Sequence, residues 1–285
     1  MQILLLANRF SLYRTLHTGA SIASWVQHSS PSNLTALFLT RAESLKSAIM
    51  THCWDPQAGM FKDNATNTKL YPQDANSMAI LFGVVSPNGT EAQSISRGLT
   101  RNWTPIGAET PELPGNISPF ISSFEIQAHF IAGQTERAFD LIKRCWGWYL
   151  KNPNGTQSTV IEGYLTDSTF GYRSMRGYGN DPSYVSHAHG WSTGPTSALT
   201  EYVVGLSVIE PAGAKWTLKP NFDVLNWSRA GFTTPLGKYE ATWKKSNVSI
   251  LLEWSAPEGT LGYVEIPGFA GKWIEGGRGN ITIKL

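Results

Sequence analysis

The centre of this sequence is a chemically mixed stretch, residues 155–205, which reads GTQSTVIEGYLTDSTFGYRSMRGYGNDPSYVSHAHGWSTGPTSALTEYVVG. Its carboxylate in an apolar and aromatic setting is Glu162, and a loop crowded with Gly, Tyr, Ser and Arg follows. A His-Ala-His-Gly-Trp run then leads into a predicted helix that begins at Pro195, because proline suits the first turn of a helix. Carboxylate, hydroxyl, guanidinium, imidazole and indole groups in one place are typical of sites that bind and process sugars.

Ahead of this stretch, apolar residues recur at the spacing of α-helices. The predicted helices are 40–54, 75–85 with Asp74 as cap, a third that begins with a capping box of Thr90 and Gln93, 119–132 and 135–150. The fourth is expected to bury Phe120, Phe124, Ala128 and Ile131. Helices in successive antiparallel pairs close into a toroid of helical hairpins, in which long loops line one end.

After Pro211 the hydrophobic period changes to that of β-strands. Alternating segments predict an antiparallel β-sandwich, with strands at 215–219, 238–244, 247–254, 262–266 and 280–285. We place the boundary near residues 207–213, which gives a helical domain over 1–207 and a β domain over 208–285. The β domain has neither a carboxylate pair nor a His cluster, so we predict a structural role for it.

Bulk composition excludes several classes of function. The net charge is +2 with dispersed Lys and Arg, and no segment approaches the roughly 20 apolar residues of a membrane span, so neither nucleic acid nor a membrane is an expected partner. No cluster of metal ligands is visible, and no cofactor is expected. The two cysteines, Cys53 and Cys145, fit either a disulfide or two buried thiols.

Nine Asn-X-Ser/Thr triplets predict a protein of the secretory pathway. They lie at Asn33, Asn64, Asn88, Asn102, Asn116, Asn154, Asn226, Asn247 and Asn280. The short apolar run at residues 1–7 is interrupted by Arg9 and has no convincing signal-peptide cleavage site. We therefore expect the chain to be the C-terminal part of a longer secreted protein.

Glu162 and His189 are the strongest candidates for chemistry. Glu162 lies between apolar neighbours, which suits an acid or base near neutral pH; the alternative is a capping Glu, or one paired with Arg173 or Arg176. His189 can bind a sugar hydroxyl with Trp191 as a stacking wall, or it can simply be satisfied by backbone at a tight turn. Both alternatives stay open at this point.

Two residues outside the central stretch are weaker candidates. Glu125 is a lone acid on the fourth helix, so it either holds a sugar hydroxyl or, as we favour, pairs with Arg or His of a neighbouring helix. Trp148 lies off the apolar face of its helix, and we expect it to reach a pocket more readily than Trp146.

Several segments together resemble a known family. RCWGWYLKNPNGTQSTVIEGYLTDSTFGYRS and SHAHGWSTGPTSALTEYVVGL are similar to the C-terminal half of the catalytic barrel in fungal α-L-rhamnosidase-like proteins, which are six-hairpin glycosidases of glycoside hydrolase family 78. FKDNATNTKLYPQDANSMAILFGVV and SPFISSFEIQAHFIAG match the preceding hairpins, and the tail resembles the closing β-sandwich. The resemblance covers residues 35–285 and implies part of an (α/α)6 barrel.

The resemblance also implies a reaction, the inverting hydrolysis of terminal α-L-rhamnosyl groups from a glycoside or polysaccharide. Its general base matches Glu162 and its active-site His matches His189. The family often has Trp before the base where Ile161 stands here, so Tyr164 is expected to supply a stacking residue if one is kept. The family's general acid lies in the first half of the barrel, so we expect little activity from this chain alone. The alternative is a non-catalytic sugar-binding protein that keeps the cleft; the oligomeric state is left open.

Overall fold

The computed structural model describes residues 6–26, 33–66 and 69–285. The chain forms two compact units, a helical unit over Met1–Gly194 and a β unit over Pro195–Leu285. The predicted fold class, mainly helical with a β domain after it, is confirmed.

The helical unit begins with two long helices that pack on each other, α1 (Leu6–Val26) and α2 (Asn33–Cys53). The sequence pattern gave no prediction for α1. Its buried residues Leu6, Phe10, Tyr13 and Ala20 have helical spacing, but exposed apolar side chains such as Leu12 and Ile22 obscure that period. Helix α2 begins earlier than the predicted residue 40.

The remaining helices of this unit follow the predicted order. They are α3 (Gln73–Leu81), α4 (Thr90–Leu99), α5 (Pro119–Ile131), α6 (Thr135–Ile142) and α7 (Trp148–Lys151), with a π-helical turn at Lys143–Gly147 joining the last two. Short strands of this unit pair antiparallel. Strand β1 (Trp54–Asp55) pairs with β2 (Met60–Phe61), β3 (Trp103–Thr104) with β4 (Gly107–Ala108), and β5 (Asn116–Ile117) with β6 (Tyr164–Leu165). The pairing of β5 with β6 brings the segment after Glu162 beside the start of α5.

Two local predictions about helix starts are wrong. Thr90 is the first helical residue of α4 and Gly89 is its N-cap, so Thr90 and Gln93 form no capping box. The Gln93 side chain instead donates to the carbonyl of Ala132. Helix α3 begins at Gln73 with Pro72 as N-cap, so Asp74 lies in the first turn.

The predicted buried face of α5 is also wrong in part. Phe120, Phe124 and Ile131 are only half-buried, and Ala128 alone of the predicted four is fully buried. The fully buried positions include several polar side chains, namely Ser122, Ser123, Glu125 and His129. These positions are polar because α5 carries a hydrogen-bond network in the helical core, described below.

The β unit is a six-stranded, largely antiparallel sheet preceded by a short helix, α8 (Gly194–Leu199), and a π-helical turn at Thr200–Val204. Its strands are β7 (Leu206–Val208), β8 (Lys215–Leu218), β9 (Trp227–Thr234), β10 (Gly237–Lys245), β11 (Ser249–Val264) and β12 (Lys272–Lys284). The order is β7-β8-β11-β10-β9, and β12 pairs with the other edge of β11. Strand β11 covers two predicted strands in one, because the chain continues through an irregularity between Ala256 and Leu261.

Large aromatic residues form the core of the β unit. Trp216, Tyr239 and Trp243 are completely buried on strands β8 and β10. The indole N–H of Trp243 donates to the carbonyl of Val203, which ties the π-helical turn to the sheet. This contact explains why the compact units divide between Gly194 and Pro195, ahead of the boundary predicted near residue 207.

In the described ranges, no helix combines the length and the apolar character needed to cross a membrane.

Two glycines of the β unit, Gly205 and Gly268, allow a matched test of close backbone packing in this unit. Gly205 (φ +84°) would place an added Cβ 2.1 Å from the backbone carbonyl of Lys219, whereas Gly268 has the same φ with nothing within 4 Å. We expect Gly205→Ala to lower the free energy of unfolding by about 3 kcal/mol, because strain and a backbone clash add. Gly268→Ala, the matched control, should cost about 1 kcal/mol for the left-handed backbone alone. Thermal unfolding of the full chain measures both, and equal effects would contradict the clash.

Candidate active site

The helical unit contains a cavity of about 470 Å³. Its lining includes three carboxylates, two guanidinium groups, one imidazole and four aromatic rings, from Asp74, Glu112, Glu162, Arg173, Arg176, His189, Phe120, Tyr172, Tyr178 and Trp191. The predicted residues Glu162, His189 and Trp191 therefore line one cavity. A pocket of this size, apolar on its walls and polar at a few points, is typical of a small-molecule site.

Glu162 is 9% exposed and both of its carboxylate oxygens accept hydrogen bonds. Oε1 accepts from the hydroxyl of Tyr178 at 2.8 Å, and Oε2 accepts from the backbone N–H of Ser186 at 3.3 Å. The bond to Glu162 is the main cause of the raised pKa of Tyr178. No ion pair joins Glu162 to Arg173 or Arg176 among the described residues, so the predicted alternative of a charge-paired Glu162 is not what the structure contains.

The backbone around Glu162 is held against the segment that carries His189. The N–H of Glu162 donates to the carbonyl of Ser186 at 2.8 Å, and the N–H of His189 donates to the carbonyl of Val160 at 2.9 Å. Gly163 is needed here, because a Cβ at this position would lie 2.4 Å from the Tyr172 ring. These contacts bring both ends of the 162–189 loop to the cavity.

His189 and Trp191 line the cavity near its rim. Their ring centroids are 5.9 Å apart, and the Trp191 indole, 72% exposed, lies 5.4 Å from the ring of Phe120. A largely exposed indole fits the predicted stacking wall. His187 differs: its Nδ1 lies 2.8 Å from the Tyr149 hydroxyl, and it is not part of the lining.

Two carboxylates of the cavity were missed as site residues by the sequence pattern. Glu112 accepts from the backbone N–H groups of Gln73 (2.9 Å) and Asp74 (3.2 Å), the first two residues of α3. Burial, and then the charge of Asp74, raise the pKa of Glu112 to about 7; burial also raises the pKa of Asp74. The available signal was an acid between Pro111 and Leu113, a poorly solvated setting like that of Glu162.

Glu125 is buried in a network away from the cavity lining. Its carboxylate accepts from Gln73 Nε2 (2.6 Å) and Trp103 Nε1 (2.6 Å), and it lies 3.2 Å from Nε2 of His129. The other nitrogen of His129 lies 2.7 Å from the hydroxyl of Ser96. This arrangement supports the structural pairing that the sequence favoured over a sugar contact. The His partner, His129, lies one turn on in α5 itself and not on a neighbouring helix as predicted.

Trp148 and Tyr164 also lie outside the cavity lining. Their rings pack on each other with centroids 4.4 Å apart. The hydroxyl of Tyr164 donates to the carbonyl of Ile106 at 2.6 Å, and its side chain is fully buried. The structure therefore places both predicted sugar contacts in packing between the 162–165 segment and the α6–α7 helices, because β6 turns Tyr164 inward.

The cysteines are two separate buried thiols, Cys53 and Cys145, which was one of the two predicted alternatives. Burial raises the pKa of Cys145 to about 12, so this thiol stays protonated. Among the described residues, no group of three or more His, Cys, Asp or Glu side chains could hold a metal ion.

Comparisons with known proteins agree with this architecture. Residues 205–280, in the β unit, match the family model for the C-terminal domain of bacterial α-L-rhamnosidase. A search of curated proteins finds no match.

Solved structures of the same class match nearly the whole chain. The family 78 rhamnosidase of Bacillus sp. GL1 matches with a TM-score of 0.71 and 22% identity, over 93% of this chain and 26% of its own. The native α-L-rhamnosidase of Aspergillus terreus matches with a TM-score of 0.66 and 17% identity, over 94% of this chain and 29% of its own. The Streptomyces avermitilis α-L-rhamnosidase, solved as a complex with L-rhamnose, matches with a TM-score of 0.69 and 15% identity. The match covers 95% of this chain and 26% of that enzyme.

These likenesses establish the fold. The chain has the architecture of the C-terminal portion of α-L-rhamnosidases, so the resemblance inferred from the sequence is confirmed. It spans less than a third of the length of each of these enzymes.

The buried pair of Glu112 and Asp74 makes stability depend on pH. The folded pKa of Glu112 is raised from 4.5 to about 7, so the folded chain binds this proton more tightly than the unfolded chain. Its contribution is present below about pH 4.5 and is lost as the pH rises through about 7. Glu112→Gln should reduce the decline in unfolding free energy between pH 5 and pH 8 by about 2 kcal/mol. Urea titrations at pH 5 and pH 8 measure the unfolding free energy, and Glu43→Gln, at an exposed position, is the control. If Glu112→Gln left the pH dependence of stability unchanged, the raised pKa of Glu112 would be contradicted.

Glu125→Gln tests the structural role of the buried network. Three donors converge on the carboxylate, and an amide offers one acceptor oxygen and an N–H₂ group that faces a donor. We expect the free energy of unfolding to fall by about 2 kcal/mol, while L-rhamnose affinity stays unchanged. Glu136→Gln on α6 is the control. A loss of rhamnose binding without a loss of stability would restore Glu125 as a sugar ligand.

Proposed function

We propose that this chain is part of a secreted glycoside hydrolase that removes terminal α-L-rhamnosyl groups from glycosides or polysaccharides with inversion. The observation that carries the proposal is the meeting of Glu162, His189 and Trp191 in one cavity of a helical unit with the rhamnosidase fold. The β unit serves as a structural domain.

Glu162 is the general base of this proposal. Its Oε1 is oriented by the Tyr178 hydroxyl and its Oε2 by the Ser186 N–H, so the carboxylate is held in one position at the cavity wall. In the inverting reaction it takes a proton from a water molecule as that water attacks the anomeric carbon. The anomeric C–O bond breaks on the opposite face, and β-L-rhamnose forms first.

Inversion also needs a second carboxyl, which protonates the leaving oxygen. Asp74 and Glu112 are not placed in that role. Both oxygens of Glu112 accept from the backbone of α3, and Asp74 Oδ1 accepts from the N–H of Ala75. These two acids are instead proposed as a polar wall of the cavity.

A terminal rhamnosyl group suits the remaining walls. Trp191 and Phe120 form an apolar surface at the rim, which fits the methyl group and a ring face of a 6-deoxy sugar. His189 lies beside that surface and offers a ring nitrogen to a sugar hydroxyl.

Secretion is proposed from the glycosylation triplets. Asn116 is an exception, because its side chain is buried and donates to the carbonyl of Pro114. The other eight triplets carry this part of the proposal, and a shift in electrophoretic mobility after glycosidase treatment of the secreted protein tests it.

A second candidate function is sugar binding without hydrolysis. The observation in its favour is that both oxygens of Glu162 are already engaged with protein donors, an arrangement that also suits a fixed acceptor for sugar hydroxyls. The two functions share the cavity and differ in whether Glu162 takes a proton.

Glu162→Gln separates the two functions, since the amide keeps the shape of the side chain and cannot act as base. In the complete hydrolase that contains this chain, we expect turnover of an aryl α-L-rhamnoside to fall by about 10³-fold, in line with the loss of a general base, while L-rhamnose binding measured by NMR is retained. The NMR spectrum of the reaction should show β-L-rhamnose first.

The control is Glu91→Gln on α4, which makes the same charge change outside the cavity. Turnover that survives in Glu162→Gln, or α-L-rhamnose as first product, would contradict the hydrolytic mechanism. Rhamnose binding without turnover by the unmodified complete protein that contains this chain would support the binding function, and absence of both would reject the two proposals together.

A further inference from the structure

We infer that the cavity accepts a sugar whose neighbouring unit carries a carboxylate, a hexuronic acid, with Arg173 and Arg176 as the groups that bind it. The inference deepens the proposed function, since it takes the terminal sugar to lie at Glu162. Both arginines line the same cavity as Glu162.

Arg173 is held in an uncommon conformation. Its backbone has φ 52° and ψ 51°, in the left-handed region that few residues other than glycine adopt. The backbone N–H donates to Oδ1 of the buried Asn116 at 2.9 Å, which connects this turn to strand β5. Strain of this kind persists where the surrounding structure demands one position for a side chain.

The guanidinium group of Arg173 is positioned by two aromatic rings. Its central carbon lies 5.9 Å from the Tyr172 centroid and 5.6 Å from the Tyr178 centroid. Such contacts use the faces of the guanidinium plane, and its N–H donors lie within that plane. The ion pairs of the described residues include neither Arg173 nor Arg176, so both have donors for a ligand.

The charge of the cavity allows an anion to enter. The acids Asp74, Glu112 and Glu162 line the cavity with the two arginines, and burial raises the pKa of Asp74 although the charge of Arg176 acts to lower it. Glu112, whose pKa is about 7, carries a proton at mildly acidic pH. Protonation of Glu112 reduces the negative charge beside the two guanidinium groups, and arginine is suited to bidentate binding of a further carboxylate.

The geometry places this carboxylate beside the terminal sugar. Tyr178 donates to Glu162 through its hydroxyl and contacts Arg173 through its ring. Tyr178 therefore contacts both binding groups, the carboxylate of Glu162 and the guanidinium group of Arg173. The cavity volume of about 470 Å³ lies in the range that takes ligands of disaccharide size.

The test uses the full chain and NMR titration at pH 5.5. The probes are D-glucuronic acid and its uncharged methyl ester, followed by a rhamnosyl-glucuronic acid disaccharide and the ester of that disaccharide. We expect each acid to bind about tenfold more tightly than its ester, the gain typical of a hydrogen bond to a charged group. The double variant Arg173→Gln/Arg176→Gln should remove this preference.

Arg97→Gln is the matched control, because it removes the same charge from an exposed position of α4. It should keep the preference for the acid. Unfolding temperatures are measured for every variant, and the single variant Arg176→Gln, at an exposed side chain, carries the test if the double variant does not fold.

The outcomes separate this inference from the proposed function. Equal affinity for acid and ester in the unmodified chain, or a preference that survives in the arginine variants, overturns the inference. If L-rhamnose does not bind but the glucuronate preference depends on the two arginines, the proposed function fails and the anion site stands. If L-rhamnose binds and the preference for the acid over the ester is absent, the anion site fails and the proposed function stands.

Discussion

The candidate site depends on the backbone contact between residues 160–162 and 186–189. Hydrogen bonds from Glu162 to Ser186 and from His189 to Val160 close a loop of more than twenty residues on itself. Closing a flexible loop costs conformational entropy. Contacts among Tyr172, Arg173 and Tyr178 offset part of this cost. Without this closure, the acid, the imidazole and the guanidinium groups would lie on separate parts of the surface.

The helical scaffold supports the loop from below by an unusually polar core. Helix α5 buries Glu125 and His129, and donors from Gln73 and Trp103 reach the same carboxylate. These donors hold the helices in one register, because a shift would leave the buried carboxylate of Glu125 without partners. The start of α3 is held in the same way by Glu112. The N-terminus of α3, which carries Asp74 of the cavity lining, is thus fixed by hydrogen bonds.

The β unit follows another principle. Strand β11 pairs with β10 and β12 along its first part, and with β8 and β12 along its last part. One strand therefore connects the whole sheet, and Trp216, Tyr239 and Trp243 fill the core beneath it. This unit matches the family model for the rhamnosidase C-terminal domain, and the structural role given to it is a proposal.

The sequence by itself determined the helices from α2 to α8, the strands β8, β10, β11 and β12, the change of period after Pro211, and the grouping of Glu162, His189 and Trp191, because these features lie in local patterns. Only the tertiary structure decided which other residues share the cavity. Glu112 and Asp74 come from segments far from Glu162 in the chain, and their place follows from the capping of α3. Tyr164 turns inward because pairing of β5 with β6 sets the direction of its side chain, and Trp148 of α7 packs on the Tyr164 ring. No local spacing records either contact. The boundary of the units depended likewise on a contact distant in sequence, between Val203 and Trp243.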